Sequence, residues 1–151
     1  MSEPRNPRVY SRLQIAAQML RKVTDRQLVE IAGITAAQLG VLNRIDAAHE
    51  LNQTSLARDL RLNDSAITAM VKRLMTLGMI EKTRSESDSR AWALKLTKNG
   101  ETAIAKANSQ TLSINTRIER EFGTEALGDF VAKLNRVIEL CDEEQVVEVE
   151  G

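Results

Sequence analysis

The sequence has little that would tie it to a disulfide, a metal or a membrane. A single cysteine, Cys141, stands among 151 residues; it excludes an intramolecular disulfide and fits a reducing compartment, so the expected location is cytoplasmic. With one histidine, His49, there is no metal-ligand spacing and no nucleophile–base pair, and no Gly-rich phosphate loop occurs. The expectation is therefore a protein that is not an enzyme and takes no metal or cofactor. No apolar run approaches the length of a membrane span. The opening stretch MSEPRNPRVY carries neither an apolar core nor a small-residue cleavage site, so a secretory signal and a membrane partner are not expected. Prolines are confined to Pro4 and Pro7, and aromatics make up 3% of the chain. The core must then come from Leu, Ile, Val, Met and Ala, which favours helices. The length suits one domain.

Net charge is zero, but the zero is a cancellation. Residues 54–98 hold nine Lys or Arg against five acids, and residues 139–151 hold six acids and no base. A local basic surface is thus compatible with overall neutrality.

The apolar spacing predicts a helix from Arg8 to Ile31, with Leu13, Ala16, Ala17, Leu20, Val23 and Leu28 along one side. Gly33 reads as its C-cap. Thr35 opens a second helix bearing Leu39, Leu42 and Ile45, and Gln38 three residues on completes a capping box. After a brief extended piece, Leu51 to Gln53, a short helix starts at Thr54 or Gln53 and runs to Arg61, with Leu56, Ala57 and Leu60 inward. Leu62 and Asn63 form a turn. Asp64 or Asn63 caps the next helix, which ends at Gly78. Met79 to Arg84 and Ala91 to Leu96 read as two strands around a polar tip, with Trp92, Leu94 and Leu96 sharing a face. Thr97 caps a long helix from Lys98 to Phe122, whose Ile104, Ala107, Thr111, Ile114 and Ile118 follow heptad steps. Gly123 breaks it. A last helix carries Leu127, Phe130, Val131, Leu134, Val137, Ile138 and Cys141 at helical period, and the acidic end is expected to fray.

The pair of short helices across the tight turn carries the functional signal. In the second, Ile67, Met70, Val71, Leu74 and Leu77 face a core. Its other face holds Ser65, Ala66, Thr68, Ala69, Lys72 and Arg73: small residues first, cations after. A helix entering a major groove needs that order, since small side chains let base edges approach and cations reach phosphates on the groove wall. Thr54 and Ser55 offer hydroxyl and backbone N–H contacts to phosphate. Arg84 and Arg90 flank the hairpin tip, where an arginine suits a narrow minor groove. Asp88, two residues before Arg90, is placed to hold the loop or orient Arg90. Lys72, Arg73 and Lys82 also fit a simple solvated face.

These residues resemble the MarR family of winged helix-turn-helix regulators. The resemblance rests on ITAAQLGVLNRI, on QTSLARDLRLNDSAITAMVKRLMTLGMIEKTR and on SESDSRAWALKLTKNGE. The last contains a D-x-R followed by L-x-L-T-x-x-G, here Asp88, Arg90, Leu94, Leu96, Thr97 and Gly100. The implied fold is mainly α with a small β-hairpin wing, a winged helix-turn-helix core flanked by N- and C-terminal dimerisation helices. The implied layout is a lead at 1–7, one domain at 8–142 with the winged module at 34–100 and dimerisation helices at 8–32 and 101–142, and an acidic tail at 143–151. It implies a homodimer on a pseudo-palindromic double-stranded DNA operator, acting as a repressor released by a small lipophilic or phenolic effector. By motif position, DNA contact falls on Ser65, Ala66, Thr68, Ala69, Lys72 and Arg73, minor-groove contact on Arg90 and wing support on Asp88.

The wing departs from the family in being less basic: the tip reads Asp88-Ser89-Arg90-Ala91, with Glu86 beside it. That places more of the expected affinity on Lys72, Arg73 and Arg84. It also keeps open an alternative, a winged-helix protein-interaction module without DNA binding. Cys141, on the apolar stripe of the last helix, reads as a buried structural cysteine.

Overall fold

The computed structural model describes residues 8–48, 50–88, 90–109 and 113–149. The expected lead at 1–7, His49 and Thr111 lie outside the described residues. The elements in order are α1 (Val9–Ala32), α2 (Ala36–Ala47), α3 (Gln53–Asp59), α4 (Asp64–Thr76), β1 (Ile80–Arg84), β2 (Trp92–Leu96), α5 (Lys98–Asn108), α6 (Ser113–Phe122) and α7 (Thr124–Val149). Two compact units divide them, residues 1–110 and residues 111–151.

In the first unit, local chemistry sets each helix start. The Thr35 hydroxyl accepts the Gln38 N–H at 3.2 Å, and the Gln38 side chain accepts the Thr35 N–H at 2.9 Å. This is the expected capping box. Asp25, on α1, accepts the Ala36 N–H at 2.7 Å and so satisfies another orphan donor while tying α1 to α2. Asn52 caps α3 through the Ser55 N–H, and Asn63 caps α4 through the Ala66 N–H, both at 2.8 Å. The cap of α3 is thus Asn52, one residue ahead of the expected start at Gln53 or Thr54. That helix ends at Asp59 rather than Arg61, because Arg61 turns to φ +53.

The core collects Ile34, Val41, Leu42, Leu56, Ile67, Val71 and Leu74, each at most 2% exposed. Each fully buried aliphatic side chain contributes about 1.5–3 kcal/mol. On α4 the buried positions Ile67, Val71 and Leu74 recur at four- and three-residue steps, and they join Val41, Leu42 and Ile45 of α2 in one buried cluster. Ala103 and Ile104 of α5 close the cluster. Among the described residues no polar or charged residue is buried.

β1 and β2 pair antiparallel from Ile80↔Leu96 to Arg84↔Trp92. The Leu94 N–H also donates to the Leu51 carbonyl at 2.8 Å, which ties the segment before α3 to β2. The hairpin is anchored to α5 at Gly100. A Cβ there would lie 2.1 Å from the Met79 carbonyl oxygen, so only glycine admits the close approach. Thr97 reinforces the joint, its hydroxyl donating to the Gly78 carbonyl and accepting the Gly100 N–H.

Four further expectations need correction. Trp92 does not join Leu94 and Leu96 inward; it is 51% exposed, while Ala93 is buried beside Leu94. The core ends below the distal half of the hairpin, so strand alternation has nothing to bury against there. The predicted single helix from Lys98 to Phe122 is two helices. α5 ends at Asn108, with Ser109 as its cap donating back to the Lys106 carbonyl at 2.8 Å, the local competition that Ser and Asn offer a helix backbone. The acidic end, expected to fray from residue 142, is helical through Val149. No proline or glycine interrupts it after Gly128, and Arg136 pairs with Glu139 and Glu143 along its side.

The fourth correction concerns Cys141, which is exposed rather than buried. In the second unit α6 packs against α7, and Gly123, at φ +78, separates them. The apolar stripe of α7 is intact but largely uncovered, with Phe130, Val131 and Ile138 each about half exposed. In α1 only Leu28 is buried, and Tyr10, Ile15 and Met19 face solvent.

Candidate nucleic-acid interface

The inward stripe of α4 fixes what its other face presents. With Ile67, Val71 and Leu74 buried, Ser65, Thr68, Ala69, Lys72 and Arg73 are exposed and Ala66 is half-buried. The small-then-basic order read from the sequence therefore lies on one accessible helix face.

The hydroxyls on this face are already oriented. Ser65 donates to the Asn63 side-chain oxygen at 2.8 Å, which ties it to the cap. Thr68 accepts from the Gln53 side-chain amide at 2.6 Å. Gln53 is a site residue that the sequence reading did not single out. Its signal is tertiary, since α3 and α4 must cross before residues 53 and 68 meet. At the start of α3, Thr54 is exposed and Ser55 is half-buried. The Ser55 N–H is taken by Asn52, so the phosphate contact expected from this N–H is not on offer, and Ser55 presents its hydroxyl. Arg44 of α2 donates from Nε to Asp59 at 2.8 Å and locks α3 in place.

Beside α4 runs an open groove of about 500 Å³, lined by Gln53, Thr68, Lys72, Met75, Thr76 and Lys82. It brings Lys82, from the first strand of the hairpin, alongside Lys72. Two cations from different elements thus line one groove, the arrangement an anionic backbone requires.

Hydrogen bonds hold the hairpin tip. The Arg90 N–H donates to the Asp88 carboxylate at 2.9 Å, and the Ala91 N–H donates to the Asp88 carbonyl at 2.9 Å. Asp88 thus folds the loop through the backbone of Arg90, and the Arg90 side chain is exposed. Arg84 stacks on Trp92, with its guanidinium carbon 4.2 Å from the ring centroid. Lys95 pairs with Glu86 at 3.1 Å, which lowers the positive field of the wing further.

A second unanticipated residue sits at the base of the wing. Glu50 accepts the Glu86 N–H at 2.7 Å and the Ser87 hydroxyl at 2.6 Å. Hydrogen bonds from the Ser85 and Ser87 hydroxyls, and then from the backbone of Glu86 and Ser87, hold its carboxyl down at about 2. Among the described residues no cluster of His, Cys, Asp or Glu is arranged to hold a metal ion. No single described helix is long and apolar enough to cross a membrane.

Comparison with known proteins places this geometry. Residues 34–92 match the model of the MarR family. Among curated relatives, the chain is 31% identical over 96 residues to the HTH-type transcriptional repressor MdtR of Bacillus subtilis, covering 62% of each chain. It is 26% identical over 93 residues to the uncharacterized HTH-type transcriptional regulator YdgJ of the same organism, covering 62% of this chain and 57% of that one. The matches therefore span about three-fifths of those relatives' length. Among solved structures, a MarR/EmrR family transcriptional regulator from Acinetobacter sp. ADP1 superposes with a TM-score of 0.77 at 18% identity, over 89% of this chain and 95% of that one. A mutant MarR from E. coli complexed with operator DNA gives 0.69 at 25% identity, over 83% and 92%.

Proposed function

We propose that this chain is a winged helix-turn-helix protein of the MarR type, whose family model matches residues 34–92, and a sequence-specific DNA-binding regulator rather than an enzyme. The observation that carries the reading is the exposed face of α4. Ser65, Ala66, Thr68 and Ala69 give close approach to base edges, and Lys72 and Arg73 supply charge for the groove wall. Thr54 and Ser55, at the start of α3, contact the phosphate backbone. Arg84 and Arg90 of the wing reach the flanking minor groove, with Asp88 holding the loop behind Arg90.

The finer reading is a cytoplasmic homodimer on a pseudo-palindromic operator, repressing until a small lipophilic or phenolic effector binds. Exposed apolar side chains support the dimer: Tyr10 and Met19 on α1, Phe130 and Ile138 on α7. A lone chain leaves these in water, whereas a second copy would cover them. Two winged modules would then meet half-sites about 34 Å apart, one helical turn of DNA. The transcriptional repressor MdtR, named for that activity, supports the sign of the regulation.

The test is binding of the full chain to the DNA upstream of its own gene at several salt concentrations. A DNA binder loses affinity linearly in log–log form as salt rises. Binding that is absent or independent of salt would overturn the reading and leave the protein-interaction alternative.

A further inference from the structure

A relay of hydrogen bonds links the loop that carries Arg90 to the core. The relay starts at Leu51, which is 4% exposed and accepts the Leu94 N–H at 2.8 Å. Its neighbour Glu50 reaches across to the wing and accepts from the Ser87 hydroxyl at 2.6 Å and the Glu86 N–H at 2.7 Å. The Ser87 and Ser85 hydroxyls lie 3.1 Å apart. Ser85 Oγ accepts the Asp88 N–H at 3.0 Å, and the Asp88 carboxylate accepts the Arg90 N–H at 2.9 Å. Every link is a polar contact at ordinary hydrogen-bond length, and the Glu50 acceptor is a carboxylate, the stronger kind. Glu50 lies 36 and 37 residues from the groups it binds. It therefore connects the helix-turn-helix body to the wing independently of the β1–β2 ladder.

We propose that Glu50 is a positioning residue for the wing: through the Ser87, Ser85 and Asp88 relay it sets where Arg90 is presented. It touches no DNA itself. The consequence for operator affinity rests on the DNA-binding reading above; the consequence for the wing does not. Removing the carboxylate leaves the Glu86 N–H and the Ser87 hydroxyl to water and frees the loop over residues 85–90, while α3 and α4 keep their own caps and core.

Two arms test this on the full chain, with Glu50→Ala and the isosteric Glu50→Gln. In the free protein, amide hydrogen exchange over residues 85–90 is expected to rise about tenfold in Glu50→Ala and less in Glu50→Gln, with 64–76 unchanged. Exchange in Glu50→Ala equal to wild type over 85–90, or a uniform rise across the first unit, would overturn the proposal. In the DNA arm, Glu50→Ala is expected to weaken operator binding about fivefold in the wild-type background and not at all in an Arg90→Ala background. Additive losses in the two backgrounds would show that Glu50 does not act through Arg90. If wild type binds no DNA, the regulator reading fails, and the exchange arm still decides whether Glu50 holds the wing.

Discussion

Replacing Gly100 with alanine tests the joint between α5 and the wing. Glycine-to-alanine changes inside helices ordinarily stabilise by up to about 1 kcal/mol. Here the added methyl would sit 2.1 Å from the Met79 carbonyl oxygen and 3.1 Å from its carbon, both backbone atoms. The first distance is more than 1 Å short of ordinary contact, and no rotamer change relieves it. The backbone at Met79 must retreat, and with it the bonds that Thr97 makes, from its N–H to the Met79 carbonyl and from its hydroxyl to the Gly78 carbonyl. Overpacking costs about 1–3 kcal/mol, and each weakened hydrogen bond adds about 1 kcal/mol. The net expectation is destabilisation by about 3 kcal/mol. At about 2–4 °C per kcal/mol for a chain of this size, the melting temperature should fall by about 6–12 °C. The internal control is Gly40, mid-helix in α2, where an added Cβ meets nothing within 4 Å. Gly40→Ala should raise the melting temperature by about 2–4 °C. Circular dichroism at 222 nm, at one protein concentration for all variants, reads both. If Gly100→Ala melts at or above wild type, the steric account of the L-x-L-T-x-x-G glycine is wrong.

Further outcomes follow from the same geometry. Leu74→Ala, at a position fully buried between α4 and the core, should cost about 2–5 kcal/mol in urea unfolding, whereas Met75→Ala, on the exposed side of the same helix, should cost under about 1 kcal/mol. Lys72→Ala should weaken DNA binding across all sequences and reduce the log–log salt slope by about 1, while leaving base preference in a selection experiment unchanged. Gln53→Ala removes the partner of the Thr68 hydroxyl; it should relax base preference without altering the salt slope, and a changed slope would count against its assigned role. The depressed Glu50 carboxyl predicts an acid-side effect. Its bonds to the wing are fully present above about pH 4.5 and are lost as pH falls toward about 2. Emission from Trp92, the one tryptophan of the chain, should therefore show a low-pH change that Glu50→Gln abolishes.

Much of the recognition unit was legible from residue order alone. The Thr35 and Gln38 capping box, the Thr97 cap and the inward stripe Ile67, Val71 and Leu74 each depend on neighbours within four residues, and the structure has each of them. Trp92 misled because strand alternation says which face a residue shares and nothing about how far the core beneath it extends. The helix from Lys98 to Phe122 misled because its heptad stripe continues across a stretch rich in Ser, Asn and Thr, where side chains compete for the backbone. Cys141 follows its stripe as expected, but burial needs a second surface, and α6 covers little of α7.

The sequence by itself determined most of the local elements, the caps at Thr35 and Thr97 and which residues of α4 face outward, because helix periodicity and capping are short-range chemistry. Only the tertiary structure decided that Gln53 holds Thr68, that Lys82 lines a groove with Lys72, that Gly100 admits the Met79 carbonyl and that Glu50 reaches the wing. Those pairs lie 10 to 37 residues apart in the chain. Nothing in local spacing marks them, since each exists only once the core has set how the helix pair and the hairpin meet.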